Sequence, residues 1–149
     1  MEKKIEALVT SVQQDIKKYT DEELSRKPKP DKWSKKEILG HLCDSAVNNL
    51  GRFINAQFSK EPFEFSGYNQ DEWVRLNNYN DLSINEVLDI FTIFNGRIIN
   101  VVSGIQPDKL KTRCMVGDKG FRENSGEETL QWLIEDYIEH MRYHINQIV

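Results

Sequence analysis

Apolar residues recur at steps of three and four in four separate stretches of the chain, which is the spacing of one face of an α-helix. The stretches run over about residues 3–19, 34–58, 83–102 and 129–149. Sustained alternation of apolar and polar residues, the pattern of a half-buried strand, is not found, so we do not expect a sheet. The sequence therefore predicts an all-α fold in which four helices form one bundle domain over residues 1–149.

Two of the helix starts carry a second signal. Ser34 is followed by Glu37, and Ser83 by Glu86, at the spacing of a capping box, in which each side chain bonds the backbone N–H of the other residue. Trp33 directly precedes the first box, where its side chain would form a hydrophobic staple, and this role is favoured over stacking on a ligand. We therefore expect the second and third helices to begin beside these serines.

Two long connections, over about residues 59–82 and 103–128, join the predicted helices. Structureless loops of this length are uncommon in a compact domain and are often functional. The first is rich in aromatic residues and is expected to pack on the bundle. The second contains Gly117, Gly120 and Gly126, and is expected to be mobile or to form a short hairpin. The third helix is apolar on most of its surface, which predicts that it is the most buried of the four.

Charge and hydropathy narrow the classes of function. The net charge is −4, and basic residues are interspersed with acidic ones, so nucleic-acid binding is not expected. Apolar runs stay well short of 18 residues and the N-terminus lacks a signal-peptide pattern, which predicts a cytoplasmic protein without membrane contact. Cys43 and Cys114 lie far apart in the sequence, so we expect reduced thiols, with Cys43 a small buried residue.

The three histidines are the main candidates for a functional site. His140 and His144 are four residues apart on the last helix, so their rings project from one face a turn apart and could both bind one ion. His41 lies on the second helix, as a third ligand from another element would. The other interpretation is that these are hydrogen-bonded packing residues at the edges of apolar stripes. His140 is not followed by glutamate, which excludes the metalloprotease motif H-E-x-x-H.

Two acidic residues are candidates to orient the histidine rings. Asp136 precedes His140 by four residues, within reach of its free ring N–H, and metal-bound histidines usually donate that hydrogen to such a partner. Asp44 could do the same for His41, although it lies about 60° from His41 around the helix and an alternative is that it faces solvent.

Five further residues are candidates to line a substrate pocket. Asn48 and Arg52 could contact an anionic substrate, or could be ordinary surface residues. Tyr68 and Trp73 could reach the pocket from the first long connection, or could pack in the core. Tyr137 lies on the same face of the last helix as the two histidines.

Three segments of the chain resemble the DinB/YfiT-like superfamily, and they occur in the family's order. Residues 33–45 are similar to the signature W-S-x-x-E-x-x-x-H-L-x-D-S, and residues 68–73 are similar to Y-D-x-D-x-W. Residues 129–148 resemble the closing pattern T-L … Y-x-x-H-x-x-x-H-x-x-x-I. Each motif is weak alone, but the three together span most of the chain.

The resemblance implies a four-helix bundle, commonly a homodimer, with a zinc or nickel site whose ligands are His41, His140 and His144. Family members include metal-dependent hydrolases and S-transferases that use a low-molecular-weight thiol such as bacillithiol. We therefore expect a metal-dependent enzyme that acts on a small molecule by hydrolysis or thiol transfer, since three imidazoles leave a coordination position open. The alternative is a non-catalytic protein that binds metal or serves as a dimeric interaction module.

Overall fold

The computed structural model describes residues 1–117 and 126–149. Within these ranges the chain forms six α-helices: α1 (Glu2–Asp15), α2 (Asp21–Ser25), α3 (Lys35–Asn55), α4 (Gln70–Asn77), α5 (Ile84–Gly104) and α6 (Leu130–Ile148). The long helices α1, α3, α5 and α6 form the bundle. Helices α5 and α6 each pack on both α1 and α3, so the order around the bundle is α1, α5, α3, α6. The predicted all-α, four-helix bundle is confirmed.

Both predicted capping boxes are present. The Ser34 hydroxyl accepts a bond from the Glu37 backbone N–H at 3.1 Å, and Glu37 accepts one from the Ser34 N–H at 2.8 Å. Ser83 and Glu86 make the same pair of bonds, at 3.2 and 2.9 Å. Because the boxes satisfy otherwise unpaired N–H groups, they fix the starts of α3 and α5 one residue after each serine.

The expectation that the chain has no sheet is wrong. Strands β1 (Phe63–Phe65), β2 (Arg113–Val116) and β3 (Gly126–Thr129) form a small sheet in the order β1-β2-β3. Strand β1 runs parallel to β2, whereas β2 and β3 are antiparallel, as the hairpin alternative for the second connection predicted. The strands have three or four residues each, which is too short for alternation to be recognised. Gly120, in the part of the second connection that was expected to be mobile, lies outside the described residues.

The first long connection packs on the bundle as expected. It contains β1 and α4, and Phe63 and Val74 are buried in the core.

The expectation that the third long helix is the most buried is wrong. Helix α5 has five buried residues among 21, whereas α3 has 11 among 21. Hydropathy does not determine burial here, because apolar residues such as Ile93 face outward on α5. Among the described helices, α5 is long and apolar enough to cross a membrane, which is weak evidence because core helices pass the same test. The cytoplasmic location stays a prediction.

Candidate metal centre

The side chains of His41, His140 and His144 meet at one point between α3 and α6. One nitrogen from each ring lies within 4.8 Å of the other two. The ring centroids are separated by 5.0, 4.7 and 4.6 Å, and the Nε2 atoms of His41 and His140 are 2.9 Å apart. The predicted convergence of histidines from the second and last helices is therefore what the structure shows.

Local structure accounts for this convergence. The capping box fixes the start of α3 at Lys35, which places His41 in its second turn on the side that faces α6. On α6, the spacing of four residues places the other two rings one above the other. His41 is fully buried, while His140 and His144 are partly exposed and open toward solvent.

All three imidazoles are held in the neutral form that binds metal. Burial, with a smaller effect from the neighbouring His144, lowers the pKa of His41 to about 3. Burial also lowers the pKa of His140 to about 3, with smaller effects from the other two histidines. The pKa of His144 is lowered by burial, against a hydrogen bond to Gln147 that raises it. At neutral pH an incoming cation would therefore displace no protons from these rings.

The donor set fits a divalent metal ion. Two nitrogens that each lie about 2.1 Å from one ion are on the order of 3 Å apart, close to the separation of His41 and His140. The buried Nδ1 of His41 has no hydrogen-bond partner among the described residues. A histidine that served only in packing would be expected to have both ring nitrogens satisfied. The three histidines could therefore hold one metal ion.

Two neighbours of the histidines were not anticipated in these roles. The Nδ1 atom of His144 lies 2.7 Å from the side-chain oxygen of Gln147, one turn further along α6. The Trp33 ring lies against His41, with centroids 4.9 Å apart and planes tilted by 33°. The contact between His144 and Gln147 could have been predicted from their i, i+3 spacing. The contact between Trp33 and His41 could not, because it depends on the path of the chain before α3.

Asp44 lies in the core and not at the histidines. Its Oδ1 atom accepts hydrogen bonds from the Tyr79 hydroxyl at 2.5 Å and from the Asn77 amide at 2.9 Å. Burial raises the pKa of Asp44 to about 6, although both bonds act in the opposite direction. Asp44 is 2% exposed, so the alternative that it faces solvent is wrong. These two bonds link α3 to the last residue of α4 and to the segment that follows it.

A cavity of about 440 Å³ lies beside the histidines and is open to solvent. His140, His144 and Asp136 form one part of its wall. Of the residues predicted to line a pocket, the structure places Arg52, Tyr68 and Tyr137 in the wall. Asn48 and Trp73 are not among the described lining residues.

The two predicted pocket residues outside the wall have other contacts. Asn48 bonds the backbone oxygen of Asp44 at 2.9 Å. Trp73 packs edge-on against Tyr68, with ring centroids 5.3 Å apart. Asn49 and Ser45, which the sequence did not single out as pocket residues, line the cavity on the same side of α3 as Arg52.

Both cysteines are free thiols, and Cys43 is buried, as the sequence predicted; Cys114 is also buried. Burial raises the pKa of the Cys43 thiol far above its ordinary value and that of Cys114 to about 11. Neither is therefore a nucleophile at neutral pH, because the thiolate is the reactive form.

Comparison with known proteins agrees with this fold. A sequence model of the DinB superfamily matches residues 4–148. No curated protein matches the chain. Among solved structures, YfiT from Bacillus subtilis is similar, with a TM-score of 0.83 and 20% identity, over 99% of this chain and 81% of that one. YfiT is described as a probable metal-dependent hydrolase with an unusual four-helix bundle topology. Because the family match covers nearly the whole sequence, this chain belongs to the DinB superfamily.

Proposed function

We propose that the protein is a metal-dependent enzyme that acts on a small molecule, with one divalent ion, zinc or nickel, bound by His41, His140 and His144. One observation carries the proposal: three neutral imidazoles converge beside a cavity that is open to solvent, and two of them, His140 and His144, form part of its wall. A purely structural ion is usually enclosed by four protein ligands, whereas three ligands beside a cavity leave a position for a substrate.

A divalent ion at such a site supplies Lewis acidity, which activates a water or a thiol as a nucleophile. Hydrolysis is the first candidate reaction, because YfiT, a structural neighbour, is described as a probable metal-dependent hydrolase. Transfer of a low-molecular-weight thiol is the second candidate. It would require a thiol from solution, since Cys43 and Cys114 are buried with raised pKa values.

The chain's own residues would position the site and admit the substrate. The Trp33 ring packs against the His41 ring, and Gln147 accepts a hydrogen bond from His144. Asp136 lies in the cavity wall beside His140, and we propose that its carboxylate orients that ring. The Tyr137 hydroxyl donates a 2.7 Å bond to the Asn95 side chain, so this lining residue is held in place from inside the core.

Two assays on metal-loaded and metal-free protein test the proposal. The first follows hydrolysis of a p-nitrophenyl ester, and the second follows conjugation of 2-mercaptoethanol to 1-chloro-2,4-dinitrobenzene. We expect turnover in one assay that requires added zinc or nickel and falls at least 100-fold in His144→Gln. Arg142→Gln, an exposed substitution on the same helix, is the matched control and keeps full turnover.

Metal removal distinguishes this enzyme from a non-catalytic metal-binding protein. A chelator should abolish turnover while the helical circular dichroism signal stays, as expected for a catalytic ion bound in a preformed bundle. Loss of the fold together with the metal would indicate a structural ion instead. Turnover that is the same with and without metal would contradict the proposal.

We also propose that the protein is a homodimer. On helix α5, Ile93 is 62% exposed, and the half-buried Ile90, Phe94 and Val101 lie at the edge of the side that packs on the core. Light scattering should give twice the monomer mass for the wild type and the monomer mass for Ile93→Glu. A monomeric wild type would refute this part of the proposal.

A further inference from the structure

Tyr68 brings a side-chain hydroxyl group to the cavity from the segment between β1 and α4. It lines the cavity together with two of the three histidines. Its ring packs edge-on against Trp73 of α4, with ring centroids 5.3 Å apart. The same segment is tied to α3, because the Arg52 guanidinium donates a 2.9 Å hydrogen bond to the backbone oxygen of Ser66. Contacts with both α4 and α3 therefore hold Tyr68 at the cavity.

A short chain of hydrogen bonds leads from helix α3 to the Tyr68 hydroxyl. The Asn49 side-chain amide donates to the backbone oxygen of Ser45 at 2.9 Å and to its hydroxyl oxygen at 3.3 Å. The Ser45 side chain is in turn a hydrogen-bond partner of Tyr68, and this bond acts to lower the pKa of Tyr68, as a donor to the phenol oxygen does. A phenol oxygen can accept one hydrogen bond while its own proton is donated elsewhere. Tyr68 can therefore accept from Ser45 and donate to a ligand in the cavity.

The Tyr68 hydroxyl keeps its proton at neutral pH. Burial, with a smaller effect from the negative charge of Asp44, raises the pKa of Tyr68 to about 12. The effects of Arg52 and Ser45 act in the opposite direction and do not reverse this shift. A protonated phenol is an uncharged donor, and it therefore selects a ligand by an acceptor atom at this point of the wall.

The position of Ser45 relative to His41 indicates how far the donor lies from the histidines. Ser45 follows His41 by four residues, so their side chains are neighbours on one side of α3, with Cβ atoms about 5–6 Å apart. The bond between Ser45 and Tyr68 adds about one hydrogen-bond length, roughly 3 Å. An acceptor a few bonds from the atom that binds an ion at the histidines would therefore be within reach of Tyr68.

We propose that Tyr68 binds the substrate by donating a hydrogen bond from its hydroxyl to a carbonyl oxygen, while the reacting group lies at the three histidines. The substrate class is then a small molecule with a carbonyl oxygen a few bonds from the reacting atom. An uncharged donor suits an uncharged acceptor, because a charged group taken out of water needs a charged partner. This inference rests on the proposed metal site, since that site defines the reacting end.

Cobalt-loaded protein and two matched series of thiols provide the test. The probes are mercaptoketones, HS–(CH2)n–CO–CH3, and alkanethiols in which CH2 replaces the carbonyl group, and binding is followed by the sulfur-to-cobalt absorption band. At one chain length, we expect the ratio of ketone affinity to alkanethiol affinity to be about three to ten times larger in the wild type than in Tyr68→Phe, as for one uncharged hydrogen bond. The carbonyl stretch of the bound ketone should also shift to lower frequency in the wild type but not in Tyr68→Phe.

Matched variants separate recognition from folding. Tyr68→Phe keeps the ring that packs on Trp73 and removes only the hydroxyl. Ser45→Ala removes the partner that orients this hydroxyl, and should reduce the preference for the ketone without abolishing it. Tyr19→Phe makes the same change at a tyrosine outside the described cavity wall, and should retain the full preference. Thermal unfolding verifies that each variant is folded.

The outcomes distinguish this inference from the proposed function. If both series bind to cobalt but Tyr68→Phe leaves their affinity ratio unchanged at every chain length, the role of Tyr68 is refuted and the metal site stands. The same conclusion follows if neither series reaches the bound cobalt. An unshifted carbonyl stretch in the wild type refutes the role without the need for a variant. If the protein takes up no cobalt, the metal site and the role of Tyr68 are both refuted.

Discussion

The side-chain oxygen of Gln147 accepts a hydrogen bond from Nδ1 of His144 at 2.7 Å. The bond requires the proton to be on Nδ1 and leaves the lone pair of Nε2 for the centre between the three rings. A metal-bound histidine usually donates its second nitrogen to such an acceptor, and removing that acceptor commonly weakens metal binding. Here an exposed amide takes the place more often held by a carboxylate.

Replacing Gln147 should therefore weaken metal binding without unfolding the protein. We expect Gln147→Leu to lower zinc affinity about 10- to 100-fold, and Gln147→Glu to keep it near the wild-type value. A competition titration against a chromophoric chelator measures both. Asn146→Leu adds the same apolar side chain at the neighbouring exposed position and should have no effect. Equal affinities for Gln147→Leu and the wild type would contradict the role of this bond.

Gly40, directly before His41, should not tolerate a side chain. A Cβ atom at Gly40 would lie 2.1 Å from the buried Tyr79 ring. We expect Gly40→Ala to destabilise the fold by about 1–3 kcal/mol, or more if the Tyr79–Asp44 bond is also lost. At Gly51 in the same helix an added Cβ atom would meet nothing within 4 Å, so Gly51→Ala should stabilise by up to about 1 kcal/mol. Urea unfolding compares the two, and similar effects would refute this packing argument.

Substituting Asp44 should change how stability depends on pH. Burial raises the pKa of Asp44 from 3.8 in the unfolded chain to about 6 in the folded protein. The folded state therefore binds the proton more tightly, and the stability that this contributes is present at low pH and is lost as pH rises through 6. Between pH 4.5 and 7.5 the loss is on the order of 2 kcal/mol.

Asp44→Asn removes this titration while keeping an oxygen that can accept the bonds from Tyr79 and Asn77. Relative to the wild type, its free energy of unfolding should rise by on the order of 2 kcal/mol from pH 4.5 to 7.5. Urea unfolding of metal-free protein at both pH values measures it. A difference between the two proteins that does not vary with pH would show that Asp44 has an ordinary pKa.

Metal binding should be nearly independent of pH between 7.5 and 6.0. Because burial lowers the pKa of His41 and His140 to about 3, protons hardly compete with the ion in this range. Three histidines with ordinary pKa values near 6.5 would instead lose roughly 50-fold in affinity over the same interval. Zinc titrations at the two pH values decide between these cases. A loss of tens of fold would mean that the rings are not buried as described.

The same shifts make metal-free protein sensitive to acid. The folded pKa values of these histidines lie below the unfolded value of 6.5, so only the unfolded chain takes up protons at these positions as pH falls from 6.5 toward 3. The histidines therefore destabilise the fold progressively over that range. Bound metal should oppose the effect, because it binds the folded state.

Signals that act over three or four residues were predictable from the sequence. The boxes at Ser34 and Ser83 fixed two helix starts, because a cap depends on residues one turn apart. The pair His140 and His144 was predictable for the same reason. Whether His41 joins them depends on how α3 and α6 pack, which residue spacing does not show. The resemblance to the family motif is what indicated His41 as the third residue of the site.

Features that depend on distant segments were missed. Phe63 pairs with Cys114 across 51 residues of sequence, and such pairing leaves no local pattern in a three-residue strand. Asp44 was a candidate to orient His41 because the two residues are near each other on the helix. In the structure, Asp44 instead accepts a hydrogen bond from Tyr79 in the core. Helix α5 was predicted to be the most buried from its apolar composition. That prediction was wrong because composition does not reveal which residues face outward.

X-ray absorption at the metal edge of zinc- or nickel-loaded protein tests the central claim most directly, because it counts the imidazole ligands of the bound ion. The structure predicts one ion per chain with three imidazole ligands, and two in each of His41→Gln, His140→Gln and His144→Gln. An ion whose coordination is unchanged by any of these three substitutions would contradict the claim that the histidines form one metal site.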